Sequence, residues 1–255
     1  MKRPVLAANW KMNNGPTAAK SFMDTFIEGF RPKTERTVII FPPAVDLTIV
    51  AAATSARTDV FAGIQNIHWA EKGAFTGETS AAMAKDAGAR MVLVGHSERR
   101  HVFGETDAQC AKKCLAAARV QLPFMLCVGE KIEQREAGET ESVVMHQLRE
   151  GLSLTPNLIS TEFMIAYEPV WAIGTGLTAS AADASAIHTL LRRELRQMIG
   201  TRGNEIPILY GGSVNASNAA SLLAAPEVDG LLVGGASVDA ASWLAIAQGD
   251  ISDER

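Results

Sequence analysis

The sequence is poor in cysteine, which limits the disulfides and the metal sites that the chain can form. Its 255 residues include three cysteines, Cys110, Cys114 and Cys127, so they cannot all form disulfides with one another. Cys110 and Cys114 are one helical turn apart, and no second pair of ligands follows them. We therefore expect buried structural thiols, and no metal site.

The chain also lacks the sequence features of exported and membrane proteins. Its start, MKRPVLAANWKMNNG, has no long apolar segment followed by small residues at a cleavage site. No uninterrupted apolar run reaches the roughly 18 residues that a membrane helix needs. We expect a soluble, cytoplasmic protein that does not bind a membrane.

A strong positive charge is absent as well. The formal net charge is -4, with 24 Lys and Arg against 28 Asp and Glu, which argues against a nucleic-acid partner. The densest basic group, Arg192, Arg193 and Arg196, has helical spacing, so we interpret it as a solvent-facing helix surface. Hydrophobic residues make up 47% of the chain, enough for a substantial core.

Short apolar segments of strand length alternate with longer segments of helical character. The apolar segments are PVLAANW (4–10), TVIIFP (37–42), VFAGIQ (60–65), MVLVGH (91–96), FMLCVGE (124–130), FMIAYEP (163–169), PILYGGS (207–213) and GLLVGG (230–235). Continuous apolar runs are typical of parallel strands buried on both faces. The helical segments carry start signals such as a capping box over Ser180–Asp183.

This alternation predicts an α/β fold, a closed (β/α)8 barrel of eight parallel strands with outer helices. An open, doubly wound sheet is the alternative. No linker or shift in composition divides the chain, which favours the barrel as a single domain over residues 1–255.

In such a barrel, polar residues at the carboxyl ends of the strands converge on one face. Asn9 and Lys11 end the first strand, His96 ends the fourth and Glu168 ends the sixth. The glycine pairs Gly211–Gly212 and Gly234–Gly235 end the seventh and eighth strands, where backbone N–H groups can approach a phosphate. This set of groups suits proton transfer next to a carbonyl on a small phosphorylated substrate. It comprises a carboxylate base, an imidazole, an amide, a cation and an anion cradle.

Other functions remain open on these residues alone. Another phosphate-binding barrel, such as a sugar-phosphate epimerase or a Schiff-base aldolase, would share the cradle, and Lys11 is the candidate Schiff-base lysine. A barrel that binds phosphate compounds without turnover is a further alternative. GTGLTA (174–179) also fits a loose dinucleotide pattern, but it does not directly follow its strand.

Six segments carry a resemblance to a known family. They are NWKMN (9–13), GAFTGE (73–78), GHSERRHVFGE (95–105), AYEPVWAIGTG (166–176), YGGSVN (210–215) and LVGGAS (232–237). In order and over nearly the whole chain, they resemble the signature segments of the triosephosphate isomerase family. This family is itself a standard example of a glutamate base paired with a neutral histidine.

The resemblance implies a role for each matching position. Glu168 would take the proton between C1 and C2, and neutral His96 would donate to the carbonyl oxygens. Lys11 and Asn9 would contact the substrate, with Glu98 as an ion-pair partner of the lysine. Backbone N–H groups of Gly174, Ser213, Gly234 and Gly235 would bind the phosphate, and no metal or organic cofactor would be required.

The resemblance further implies a lid and a dimer. Residues 169–178 would close over the substrate and exclude water, although Leu177 stands where the family usually has a lysine. The loop 65–80 carries Trp69 and Phe75, apolar side chains that a second copy of the chain would cover. In that homodimer, Thr76 would reach toward Asn9, Lys11 and His96 of the other copy. The implied function is triose-phosphate isomerisation, a step of glycolysis and gluconeogenesis.

Overall fold

The computed structural model describes residues 1–32, 35–173 and 179–249. Eight parallel strands form one sheet in the order β3-β2-β1-β8-β7-β6-β5-β4. They are β1 (Val5–Asn9), β2 (Thr37–Phe41), β3 (Val60–Ala62), β4 (Val92–Val94), β5 (Phe124–Val128), β6 (Phe163–Tyr167), β7 (Ile208–Tyr210) and β8 (Gly230–Val233). Each falls inside a segment predicted from the sequence, and each is shorter than predicted.

The two end strands of this sheet meet and close it. Ile64, just after β3, donates its N–H to Met91 O at 2.9 Å and accepts from Leu93 N at 2.9 Å. These bonds form a parallel bridge between Ile64 and Val92 at the start of β4. The predicted barrel is therefore confirmed.

Alternation along each strand divides the core into two layers. Val5 and Ala7 of β1 belong to a small cluster inside the barrel, together with residues such as Met125 of β5. Leu6 and Ala8, which point the other way, belong to the larger cluster between the strands and the helices. Both faces of the strands are buried, which explains the continuous apolar runs in the sequence.

Helices follow the strands in the described part of the chain. They are α1 (Pro16–Gly29), α2 (Leu47–Thr54), α3 (Ala81–Asp86), α4 (Ser97–His101), α5 (Asp107–Arg119), α6 (Ile132–Glu136), α7 (Thr140–Leu152), α8 (Ala181–Ile199), α9 (Ala219–Ala224) and α10 (Ala240–Gln248). The predicted capping box begins α8, because the Ser180 side chain accepts from Asp183 N and the Asp183 side chain accepts from Ser180 N. None of the described helices combines the length and apolarity needed to cross a membrane.

The predictions for the cysteines and for the arginine group of α8 have different outcomes. All three cysteines are buried free thiols, as predicted. The prediction of a solvent-facing arginine surface is wrong for Arg192, which is only 4% exposed. Its guanidinium is paired with Asp229 at 2.5 Å and Glu227 at 2.9 Å, and these long-range partners compensate its burial.

Candidate active site

Three strands bring the predicted polar residues to one end of the barrel. Asn9 is the last residue of β1, and Lys11 follows two residues later. His96 follows β4 and precedes α4, while Glu168 directly follows β6 and donates its N–H to Val128 O at 2.8 Å. Parallel pairing places these strand ends on the same face, so residues far apart in the sequence meet there.

The His96 imidazole is held between two groups that define its hydrogen bonding. Nδ1 accepts from the Glu98 backbone N–H at 3.3 Å, and Nε2 lies 3.0 Å from Glu168 Oε1. Because a backbone N–H can only donate, Nδ1 carries no proton in this arrangement. The proton of a neutral ring would then lie on Nε2, directed at the glutamate.

The Glu168 carboxylate is almost completely enclosed, at 2% exposure. Oε2 accepts from Ser97 N at 3.0 Å, and Oε1 accepts from Ser97 Oγ at 3.0 Å. Burial, and after it the neighbouring Glu168 carboxylate, raise the pKa of the Cys127 thiol well above its ordinary value. The Cys127 thiol therefore stays protonated beside the Glu168 carboxylate.

Two glycines make room for the backbone and side chain of Glu168. A Cβ at Gly129 would lie 1.7 Å from Glu168 O, and a Cβ at Gly211 would lie 2.9 Å from Glu168 Cγ. Either contact is closer than atoms approach without displacement. Gly211 was predicted as part of the phosphate cradle, so the structure adds a second reason for a glycine at that position.

Lys11 occupies the site with an unusual backbone conformation, φ 54°. Its N–H donates to Asn9 Oδ1 at 3.0 Å, and Gln65 Nε2 donates to its carbonyl oxygen at 2.8 Å, so the turn is held from both sides. Nζ lies 2.6 Å from Glu98 Oε1. A Cβ at Gly234 would lie 3.1 Å from Lys11 Cε, so β8 ends beside the lysine side chain.

A cavity of about 210 Å³ is lined by Asn9, Lys11, His96 and Glu98, among others, while Glu168 is not one of its lining residues. Its volume suits a small molecule rather than a polymer. A larger cleft of about 760 Å³ lies near the amino-terminal ends of β3 and β5. It is remote from the histidine–glutamate pair, so its size does not make it the better candidate for catalysis.

The described residues among those predicted to bind phosphate, to form the lid and to reach across a dimer do not line the 210 Å³ cavity. Ser213 and Gly235 follow β7 and β8 on the face that carries Lys11, while Gly174 lies outside the described residues, as does Leu177. Thr76 is exposed and lines a separate cavity of about 420 Å³ with Phe75 and Phe103. It does not join Asn9 and His96 around the 210 Å³ cavity of its own chain.

Sequence reasoning missed several residues around the glutamate. Ser97, to which the sequence assigns no role, makes two hydrogen bonds to Glu168. Cys127 and Gly129, at the end of β5, touch Glu168 through a cross-strand relationship that spacing does not reveal. Among the residues that the structure describes, no group of three or more His, Cys, Asp and Glu side chains is arranged to hold a metal ion.

Comparisons with a family model and with individual relatives point to the same family. A sequence model of the family described as triosephosphate isomerase matches residues 4–250. The chain is similar to the triosephosphate isomerase of Moorella thermoacetica, with 46% identity covering 98% of this chain and 100% of the relative. It is similar to those of Marinobacter nauticus (45%, covering 97% and 98%) and Rhodopirellula baltica (48%, covering 93% of each chain).

Proposed function

The chain belongs to the triosephosphate isomerase family, and we propose that Glu168 and His96 carry out its proton transfer. The reaction interconverts glyceraldehyde 3-phosphate and dihydroxyacetone phosphate, an isomerisation in glycolysis and gluconeogenesis. Family membership does not favour the epimerase, the aldolase or the non-catalytic barrel. The cytoplasm is the proposed compartment, which agrees with three unpaired thiols.

The chemistry requires a base that removes a proton from the carbon next to a carbonyl group. The Glu168 carboxylate takes that proton, and the electron pair of the C–H bond forms an enediolate. The protonated Glu168 then returns a proton to the neighbouring carbon, which completes the change from aldose to ketose. Ser97 holds the carboxylate in this structure, so the glutamate exchanges those hydrogen bonds for contact with the substrate.

His96 serves as the proton donor to the substrate oxygens. Its neutral ring presents the Nε2 proton, and a neutral donor stabilises the developing oxyanion without forming an imidazolium first. The single observation that carries this assignment is the 3.0 Å approach of His96 Nε2 to Glu168 Oε1. This distance leaves no room for a substrate between the two groups, so the carboxylate must move away from the imidazole when the substrate binds. The substrate carbon and its carbonyl oxygen would then be within reach of Glu168 and His96 respectively.

Lys11 and Asn9 provide the charge and the positioning. The Lys11 ammonium group balances the negative charge of the substrate, and Glu98 at 2.6 Å holds it in place. Ser213, Gly234 and Gly235 are the proposed phosphate ligands through their backbone N–H groups, together with Gly174. The approach of Gly234 to the Lys11 side chain supports a phosphate position next to the ammonium group.

Water must be kept from the enediolate, because the intermediate can otherwise eliminate its phosphate. Residues 169–178 are the proposed lid, of which Pro169 to Ile173 lie in the described part of the chain. Trp171 is 9% exposed and anchors the first part of this segment against the barrel. Closure over the substrate would exclude solvent from the site.

A homodimer through the loop 65–80 is the proposed assembly. Phe75 is 44% exposed, Phe103 is 69% exposed and Met12, beside the substrate cavity, is 96% exposed. Apolar side chains grouped at a cavity rim mark surfaces that a partner covers. A second copy would cover them symmetrically and bring its Thr76 toward Asn9, Lys11 and His96.

A coupled assay with glyceraldehyde 3-phosphate tests the function. The unmodified protein should turn the substrate over, and Glu168→Asp, which withdraws the carboxylate by about 1 Å, should lower kcat on the order of 10²-fold. Circular dichroism of the variant checks that it remains folded. A near-normal kcat in a folded Glu168→Asp protein would remove Glu168 from the role of base.

A further inference from the structure

Arg135 on α6 lies between the two described ends of the chain that flank residues 174–178. Its guanidinium carbon stands 4.2 Å from the centre of the Trp171 ring, in a cation–π arrangement. Its Nη2 lies 3.0 Å from Asp183 Oδ1 in the first turn of α8. One side chain therefore contacts both the segment that follows Glu168 and the helix that begins after residue 178.

The Trp171 contact is part of a fixed hydrogen-bonded unit. Trp171 Nε1 donates to Glu130 Oε1 at 2.8 Å, and the Tyr167 hydroxyl donates to the same oxygen at 3.2 Å. Val170 N also donates to the Glu130 backbone oxygen at 3.1 Å. Glu130 is fully buried, so this unit ties the residues after Glu168 to the end of β5.

The Asp183 contact is part of a second, separate unit. The Asp183 carboxylate accepts from Ser180 N at 3.0 Å and from Ser180 Oγ at 2.7 Å, which caps α8. The Ser180 hydroxyl first, and the Arg135 guanidinium after it, hold the pKa of Asp183 below its ordinary value. Asp183 is therefore charged at neutral pH and able to retain the arginine.

The ion pair is half-exposed, with 36% exposure of each side chain, so it contributes little to the stability of the whole fold. The ion pair matters instead for the relative position of Trp171 and Asp183. The planar guanidinium can stack on an indole and donate to a carboxylate at the same time, which a lysine ammonium cannot reproduce. Removing it should leave both hydrogen-bonded units formed but no longer held to each other by this side chain.

We propose that Arg135 is a positioning residue for the isomerisation, which fixes Trp171, and with it the backbone just after Glu168, relative to the start of α8. The proposal rests on the assignment of Glu168 as the base. Trp171 is three residues beyond Glu168, so a shift of its turn is transmitted along the chain through Pro169 to the reacting carboxylate. Arg135 acts through Trp171 and does not itself touch the substrate.

Two substitutions at Arg135 and one control test this role. Arg135→Met keeps most of the side-chain length and removes the charge and the plane, while Arg135→Lys keeps the charge alone. Arg193→Met is the matched control, because Arg193 is 59% exposed and forms an ion pair with Glu141 at 2.7 Å on the helix surface. All proteins are compared by thermal unfolding, kcat, KM and acrylamide quenching of tryptophan fluorescence.

We expect Arg135→Met to lower kcat about tenfold, a part of the hundredfold loss that a 1 Å misplacement can cause. Its KM should change less than about threefold, since Lys11 and the proposed phosphate ligands Ser213, Gly234 and Gly235 are untouched. Arg135→Lys should restore part of kcat, and Arg193→Met should match the unmodified protein. Equal kcat in Arg135→Met and Arg193→Met, or a loss of activity that follows the fraction unfolded, would overturn the proposal.

The fluorescence measurement separates this proposal from the proposed function. The contribution of Trp171 is the difference between each protein and the same protein carrying Trp171→Phe. Arg135→Met should make that contribution more accessible to acrylamide, and an unchanged accessibility would overturn the positioning role. Failure of the unmodified protein to isomerise the substrate would instead refute the function, because the quenching result does not depend on turnover.

Discussion

His96 Nε2 lies 3.0 Å from Glu168 Oε1, although the two residues follow strands β4 and β6, which are not neighbours in the sheet. The intervening strand β5 is followed directly by Gly129, where a side chain would collide with the Glu168 backbone. The proposed base and the proposed proton donor therefore meet across the end of a strand that leaves space for them.

Gly129→Ala should disturb the base without changing any reacting group. An added Cβ would lie 1.7 Å from Glu168 O, so the backbone must move, at a cost on the order of 1–3 kcal/mol of stability. We expect kcat to fall by about 10²-fold, because Glu168 moves with its backbone. Gly15→Ala is the control, since a Cβ there meets nothing within 4 Å. Urea unfolding and kcat of both variants check this, and a fully active Gly129→Ala protein would contradict the described contact.

Lys11→Met should abolish binding of the anionic substrate. Lys11 supplies the ammonium group at the cavity that Asn9 and His96 also line, and methionine preserves its length but not its charge. Lys20→Met is the control, because Lys20 is 71% exposed and pairs with Asp24 at 2.7 Å on α1. Calorimetric titration with a phosphate-bearing inhibitor should detect binding only in the control. Retained affinity in Lys11→Met would disprove the proposed charge role.

Thr76→Arg should lower activity in parallel with the loss of the proposed dimer. A charged side chain next to Phe75 would prevent the apolar surface from being covered. Gln197→Arg adds the same charge at an exposed position of α8 and should change neither property. Analytical ultracentrifugation and activity are measured over one dilution series. Full activity in a verified monomer would show that Thr76 of a second copy is not needed at the site.

Stability should decline as the pH falls below neutrality, because of His188. Burial lowers the pKa of this histidine from 6.5 to about 4. Between those values the unfolded chain binds a proton that the folded chain does not, so the free energy of unfolding falls as the pH falls. The predicted loss between pH 7.5 and pH 5 is about 2 kcal/mol. Urea unfolding at fixed protein concentration measures it, and the loss should be smaller in His188→Asn. Equal pH dependence in both proteins would contradict this origin.

The sequence was sufficient to predict the barrel because its signals are local. Each strand is a continuous apolar segment, and Asn9, His96 and Glu168 stand where those segments end. Parallel topology then places them on one face, so their proximity could be predicted without any knowledge of side-chain conformation.

What could not be predicted depends on contacts between distant segments. Arg192 has the spacing of a surface arginine and is buried only because Glu227 and Asp229 lie beside it in the fold. Similarly, Ser97 and Gly129 acquire their relation to Glu168 from the packing of β4, β5 and β6. Arg135 is part of a helical segment whose sequence gives no indication that it contacts Trp171.

The most direct test of proton transfer by Glu168 is turnover of glyceraldehyde 3-phosphate in D2O, with the product analysed by NMR. Transfer through a carboxylate that exchanges with solvent should place deuterium on the carbon that gains the proton in dihydroxyacetone phosphate. Glu168→Gln, which keeps the shape of the side chain but cannot accept the proton, should lose both turnover and deuterium incorporation while it remains folded. Undiminished turnover by Glu168→Gln, or a product of the unmodified protein entirely free of deuterium, would contradict the assignment.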